Sequence, residues 1–363
     1  MTETHDGLFQ EAMSDFKAFR THRAVQGFAE LRRIAPDYPG LDVAHAKALR
    51  RDARFEEVLD VFDGLKGDAT ELNFERAMCL LALGRAEEAL LAFDRVCGQR
   101  PNMAVAWYHS HAPALELQGL DEAIRRLERA LACTGPVNGN YRALLAAYRW
   151  LQGDTAKAEE LARKGRHRVL IEGLAALKPH FSPAFDLFAI SAHLLTRALQ
   201  EAKREGLVLE FGVRRGTSLR HIASQAGQEV HGFDSFQGLP EAWRSDQPGL
   251  LTTQNQLPPV PANAHLHPGW FEDTLPDFLN RHSGPVRLVN IDSDIYTSAR
   301  TVLFALAPRL VTGSVVVFDE LIGNPSWKDD EFKALCEFVA AFKVQFEIFA
   351  VSPATKQVAL RIL

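Results

Sequence analysis

Shortages do most of the early excluding in this chain. Only four cysteines occur in 363 residues, Cys79, Cys97, Cys133 and Cys336, and none forms a CxxC or CxxH pair. Such spacing supplies neither zinc ligands nor a disulfide framework, so reduced, mostly buried thiols in a cytoplasmic protein are expected. Neither sign of charge dominates: 41 Lys and Arg stand against 46 Asp and Glu, a net charge of −5. Without a basic excess, nucleic acid and anionic lipid drop out as main partners. No apolar run approaches the ~18 residues that cross a bilayer. The segment MTETHDGLFQ lacks a secretory apolar core. What remains is a chain with 47% hydrophobic residues, enough for a sizeable core, and a length that implies two domains.

The first half repeats itself. The segments RAVQGFAEL (23–31), RFEEVLDVF (54–62), RAEEALLAF (85–93), LDEAIRRLERA (120–130) and TAKAEELA (155–162) align on Ala24, Val58, Ala89, Ala123 and Ala158, spaced by 34, 31, 34 and 35 residues. Four positions after the first four anchors stand Phe28, Phe62, Phe93 and Leu127. That spacing places a small and a large apolar side chain on one helix face. Pro36, Pro101 and Pro136 follow at a nearly constant distance and stop each second helix. Gly84, Gly119 and Gly153 fall where paired helices turn. A period near 34 resembles the tetratricopeptide repeat, in which stacking buries faces that no single helix pair can bury. The expectation is a helical repeat domain over 1–170. It offers either a concave surface for a protein or glycan or a packing and dimerisation module. The basic patch ARKGRHRVL (162–170) reads as a solvated helix end. Connecting helices are expected over 171–206, including one long helix from Ser182-Pro183 to Gly206.

From Leu207 the pattern changes to alternating strand and helix. Strand-like runs occupy 207–213, 229–235, 264–271, 286–295, 313–320, 345–351 and 356–363. Helical patterns fall at 217–226, 273–281, 298–309 and 328–342. This predicts an α/β domain over 207–363 with a Rossmann-like, mostly parallel sheet of seven strands. The last two strands are separated by only Ser352 to Thr355, so they must pair antiparallel.

Ligands of such sheets bind at the carboxyl ends of the strands. There the sequence places Glu210 with Gly212 and Gly216, Asp234, Trp270, Asp292 with Asp294, and Asp319-Glu320. The glycines are spaced G-x-x-x-G; the dinucleotide fingerprint and the phosphate loop are both missing. Acids after the first two strands suit a nucleoside without pyrophosphate: Asp234 for ribose hydroxyls, Glu210 near an ammonium group. S-adenosylmethionine is such a ligand. A nicotinamide-dependent oxidoreductase is the rival, disfavoured by the glycine pattern and by the lack of a Tyr-x-x-x-Lys pair. A non-catalytic repeat scaffold is the second.

The motifs EFGVRRGTS, GFDSFQGLPEAWR, PGWFEDTLPDF, IDSDIYTSARTVL and VVFDE together resemble the macrocin O-methyltransferase-like family of class I methyltransferases, over roughly residues 185–363. The resemblance implies methylation of a saccharide-type hydroxyl by S-adenosylmethionine, often with Mg²⁺. Carried over residue by residue, it implies cofactor contacts from Glu210, Gly212, Gly216, Ser218, Asp234, Ser235, Trp270, Phe271 and Asp292. It implies metal ligands Asp292, Asp319 and Glu320, with Asp292 as general base. The last pair is Asp-Glu, where the family's antibiotic-sugar enzymes tend to have Asp-Asp. Asp294 is either an alternative ligand, an acid standing behind the ligands, or a helix N-terminal acid. Tyr296 either lines the pocket or packs. Trp270 and Phe271 either cover adenine or pack. The proline-rich segment 245–265 is read as a lid or as a surface insertion. His265 and His267 are expected to be hydrogen-bonding residues.

Overall fold

The computed structural model describes residues 2–63, 70–135, 139–243 and 247–363, apart from the side chains of residues 2–4, 62 and 63. Phe62, Pro136 and the first lid residues, 245 and 246, therefore lie outside what is described. Contact density divides the chain into two compact units, Met1–Val137 and Asn138–Leu363.

The first unit is helical among its described residues: α1 (Thr2–Lys17), α2 (Thr21–Ile34), α3 (Leu41–Arg51), α4 (Phe55–Asp63), α5 (Thr70–Ala82), α6 (Ala86–Gln99), α7 (Ala104–Gln118) and α8 (Leu120–Ala132). The repeated motifs fall on α2, α4, α6 and α8. Their anchors Ala24, Val58, Ala89 and Ala123 are fully buried, as are Phe28, Phe93 and Leu127. The small residue lets a neighbouring helix approach, and the large one fills the space beside it. Gly84 and Gly119 turn the chain with positive φ of 72° and 88°, the conformation that favours glycine. Phe93 lies against Phe74 and His109, with ring centroids 6.1 and 6.4 Å away.

The second unit begins with a fifth helix pair, α9 (Gly139–Gln152) and α10 (Thr155–Leu161), followed by α11 (Val169–Leu177). Asp154 caps α10, accepting a 3.1 Å hydrogen bond from the Lys157 amide. Then come β1 (Phe181–Leu187), α12 (Ser191–Glu201), β2 (Leu207–Phe211), α13 (Thr217–Ala226), β3 (Val230–Asp234), β4 (Ala264–Pro268), α14 (Phe271–Arg281), β5 (Val286–Ile291), α15 (Tyr296–Leu306), β6 (Val315–Phe318), α16 (Glu331–Phe342), β7 (Phe346–Ser352) and β8 (Gln357–Ile362).

The strands form one sheet in the order β1-β7-β8-β6-β5-β2-β3-β4. β8 runs antiparallel to both neighbours, and the other pairs are parallel. The central strands are buried along nearly their whole length, which explains their continuous apolar runs. The long helix expected from Ser182 to Gly206 is corrected here: residues 181–187 form an eighth strand, and only Ser191–Glu201 is helical. Pro183 cannot donate to a ladder, and an edge position tolerates that. β1 is such an edge, paired only with β7.

From β2 the chain moves outward to β3 and β4, then returns to β5 and β6 on the other side. The order therefore reverses between β2 and β5, where open α/β sheets bind ligands. No helix of the described residues is long and apolar enough to cross a membrane.

Candidate functional site

Each strand end at this reversal is fixed by a backbone bond to its neighbour. Gly212 N–H donates to Phe233 O at 2.9 Å, Asp292 N–H to Phe211 O at 2.8 Å, and Asp319 N–H to Ile291 O at 2.9 Å. Gly269 N–H donates to Asp234 O at 2.9 Å. The acids are thus held one step beyond the regular ladder, where side chains leave the sheet and face a cavity. Gly212 has φ +97°, and a Cβ there would lie 1.7 Å from the Asp292 carbonyl oxygen. Only glycine lets these two strand ends meet.

The cavity holds ≈ 330 Å³. Its wall includes Gly212, Asp234, Ser235, Trp270, Phe271, Asp292, Asp319 and Glu320 from the residues expected by sequence, and Asp294 as well. Three expected residues stand elsewhere. Glu210 is fully buried. It accepts a 2.9 Å hydrogen bond from Asn290 Nδ2 and another from Ser218. Gly216 is the left-handed residue ahead of α13, packed near Pro258. None of Glu210, Gly216 and Ser218 is in the cavity wall. Tyr296 is also outside it, donating to Glu337 at 2.8 Å.

Sequence reasoning did not single out Arg214, Gly238, Leu239, Pro240, Trp243, Glu272, Ser293 and Ser298, which also line the cavity, as does Leu251 from the segment read as a lid. Several sit on the loop after β3. That loop is tied back on itself by Leu239 N–H to Leu250 O and Gly249 N–H to Leu239 O, both 2.9 Å. Among the described residues of 245–265, Leu251 alone is in the wall. The cover over the site therefore begins before the segment read as a lid. The run Gln237-Gly238-Leu239-Pro240 was a legible turn signal, but it has no period that would mark its aim.

Asp234 is held firmly. Its Oδ1 accepts the Phe236 N–H at 2.6 Å and its Oδ2 the Arg214 N–H at 2.7 Å. The Val213 amide donates to it as well, and a carboxylate with about four lone-pair sites can still accept from a ligand hydroxyl. Ser293 Oγ, buried in the cavity wall, has no hydrogen-bond partner among the described residues. A buried hydroxyl of that kind can donate to a water or to a ligand in the cavity.

Beneath the cavity the acids crowd. Burial first, then Asp319, Asp294, Glu210 and Glu331, push the Asp292 carboxyl well above its ordinary range. Asp319 is raised to about 6, mainly by burial, with the Gln357 hydrogen bond and Lys356 pulling the other way. Glu210 is raised to about 8 by burial. Glu331, the first residue of α16, is fully buried. It accepts from Ser293 N–H and Glu320 N–H, both at 3.3 Å, and so bridges the ends of β5 and β6. Nothing in its local sequence marks that role.

The expected metal ligands are only partly suited to a divalent cation. Asp292 and Asp319 fit: both are half-buried, both face the cavity, and Asp319 raises the proton affinity of Asp292. Glu320 does not fit. Its Oε1 accepts from Lys356 Nζ at 2.9 Å, and its Oε2 accepts from Asn324 Nδ2. Among the described residues no three acidic, histidine or cysteine side chains are grouped to hold a metal ion. His265 and His267 belong to a cluster with His231 and His282 around Phe278, away from the cavity. His231 Nδ1 and His267 Nε2 are 3.2 Å apart.

A mostly parallel sheet with a cavity at its order reversal, floored by acids and bordered by aromatics, is the arrangement in which open α/β domains bind ligands. Residues 209–321, within the second unit, match the methyltransferase domain family. Two curated relatives align with the chain. One is the 8-demethyl-8-(2,3-dimethoxy-alpha-L-rhamnosyl)-tetracenomycin-C 4'-O-methyltransferase of Streptomyces olivaceus. It is 32% identical over an alignment of 142 residues, with 32% of this chain and 52% of that protein covered. The other is the demethyldecarbamoylnovobiocin O-methyltransferase of Streptomyces niveus, 26% identical over an alignment of 140 residues, with 32% of this chain and 50% of that protein covered. The chain thus spans about half the length of the curated relatives it matches. Among solved structures, CalS11, a calicheamicin methyltransferase, aligns at 21% identity and a TM-score of 0.39, covering 63% of this chain and 94% of that one. At that TM-score the likeness is too slight to bear on function.

Proposed function

We propose that the second unit transfers a methyl group from S-adenosylmethionine to a hydroxyl of a saccharide or glycosylated natural product. The observation that carries this reading is Asp234. Its carboxylate is fixed by the backbone amides of Phe236, Arg214 and Val213, faces the cavity with room to accept a further hydrogen bond, and lies inside the span that matches the methyltransferase domain. The acceptor class rests on the two O-methyltransferase relatives.

When bound, S-adenosylmethionine supplies an electrophilic methyl group on a sulfonium centre. In this reading Asp234 accepts from the ribose hydroxyls, and Trp270 with Phe271, at the start of α14, walls the adenine. Ser235 and the Gly212 backbone border the same space. Glu210, Gly216 and Ser218 act from behind, shaping the turn after β2 without touching the ligand. Asp292 takes the acceptor's proton: its raised proton affinity makes it a stronger base than an ordinary aspartate. Ser293 Oγ offers a hydrogen bond to the acceptor or cofactor. The cavity walls exclude water and hold the reacting atoms in line, and positioning is a large share of such catalysis. Mg²⁺ assistance would rest on Asp292 and Asp319. The helical unit we read as a surface for a protein partner or a second copy, and the site of action as cytoplasmic.

The test is calorimetric titration with S-adenosylhomocysteine. Micromolar binding is expected, weakened at least tenfold in Asp234→Ala. Folded protein that takes up no S-adenosylhomocysteine refutes the reading and favours the repeat-scaffold rival.

A further inference from the structure

Two consecutive acids at the end of β6 are gripped by two consecutive residues of the β7–β8 hairpin. Gln357 Nε2 donates to Asp319 Oδ1 at 2.6 Å, and the same amide reaches Ser191 Oγ at 2.8 Å. Lys356 Nζ donates to Glu320 Oε1 at 2.9 Å and to Asn324 Oδ1 at 2.6 Å. Asn324 closes the ring by donating from Nδ2 to Glu320 Oε2. Asn324 is only 1% exposed, so its amide has little access to water as an alternative. Lys356 sits in left-handed backbone at φ 67°, and its stem passes Gly323, where an added Cβ would stand 3.1 Å from Lys356 Cγ. A lysine in left-handed backbone, packed against a glycine that itself has φ +84°, is a built arrangement.

We propose that Lys356 is the resident counter-cation of this site, and that Glu320 answers to it rather than to a divalent metal. For Glu320 to turn onto a metal shared with Asp292 and Asp319, it must leave both Lys356 and Asn324. The ammonium would then lose its carboxylate while standing near a doubly charged ion, and both changes oppose binding. Glutamate suits this role better than aspartate. Its extra methylene carries the carboxylate away from the strand end toward the hairpin. The acid that departs from the family's Asp-Asp pattern is thus the acid that a lysine holds.

The proposal concerns the same cavity as the methyl-transfer reading. Its test measures cation binding without turnover, so the two can fail separately. Mn²⁺ alone is titrated into the full chain, and the bound ion is followed by electron paramagnetic resonance. Glu320→Gln should weaken Mn²⁺ binding, because it leaves the Lys356 ammonium without its carboxylate, and Lys356→Met/Glu320→Gln should restore the affinity to within twofold of the unaltered protein. Lys356→Met alone should raise it at least tenfold. A tenfold loss in the folded double variant overturns the proposal, as does an unchanged affinity in folded Lys356→Met. The double variant removes both charges at little change in shape and decides the matter even if the lysine variant does not fold.

Discussion

Glu210 on β2 and Asn290 on β5 are direct cross-strand neighbours, fully buried, joined by a 2.9 Å hydrogen bond from Asn290 Nδ2 to Glu210 Oε1. Burial raises the Glu210 carboxyl from 4.5 to about 8. Between those values the folded state keeps a proton that the unfolded state has lost. The stability this group contributes is therefore complete below pH 4.5 and is lost as pH rises through 8. Glu210→Gln, which cannot ionise, should flatten that decline by up to about 1.4 kcal/mol per pH unit. Urea unfolding at a series of pH values from 5 to about 8.5 reads it. Equal slopes in the two proteins would mean that Glu210 is not buried as a neutral acid.

Gly212→Ala should destabilise the fold by about 3 kcal/mol or more, because the new methyl meets the Asp292 carbonyl oxygen as well as the strain of φ +97°. Gly227, at the end of α13, has φ +66° and nothing within 4 Å of an added Cβ. Gly227→Ala should cost only ~1–2 kcal/mol, the backbone component alone. Similar thermal melts for the two variants would remove the close strand crossing as the reason for glycine at 212.

Asp292→Asn tests the proton-accepting role. With an acceptor found by screening, turnover should fall roughly 100-fold or more, while S-adenosylhomocysteine affinity changes less than tenfold. A variant that turns over normally would move the base elsewhere in the cavity.

In the helical unit, Phe93→Ala should cost about 3–5 kcal/mol, since the ring is fully buried between neighbouring helices. Leu91, two residues earlier and 57% exposed, should tolerate alanine within about 0.5 kcal/mol. Far-ultraviolet circular dichroism in urea distinguishes them.

The sequence was most legible where pattern is local. The α13 helix occupies 217–226, the same residues its periodicity predicts. The repeat anchors lie at the predicted buried positions because stacking burial leaves a regular imprint. β1 was not legible. Its partners, Ile348 to Val351, are more than 160 residues further on, and Ser182-Pro183 looks locally like a helix start. The site divides along the same line. Acids that end apolar runs could be read, while Trp243 and Leu251 come from a loop without period. The grip on Glu320 was also hidden: Lys356 is 36 residues away, and proximity at that range is a property of the fold.

β8 lies between β6 and β7, although it follows both in the chain. During synthesis on a ribosome, β6 and β7 emerge with the gap between them unfilled, each presenting a bare ladder edge. Lys356 and Gln357 arrive together with the strand that fills that gap. The acids they hold are therefore left unbraced until the sheet closes. An emerging chain is then at its most exposed to mispairing just before residues 357–362 appear, and the cavity can take its final form only afterwards.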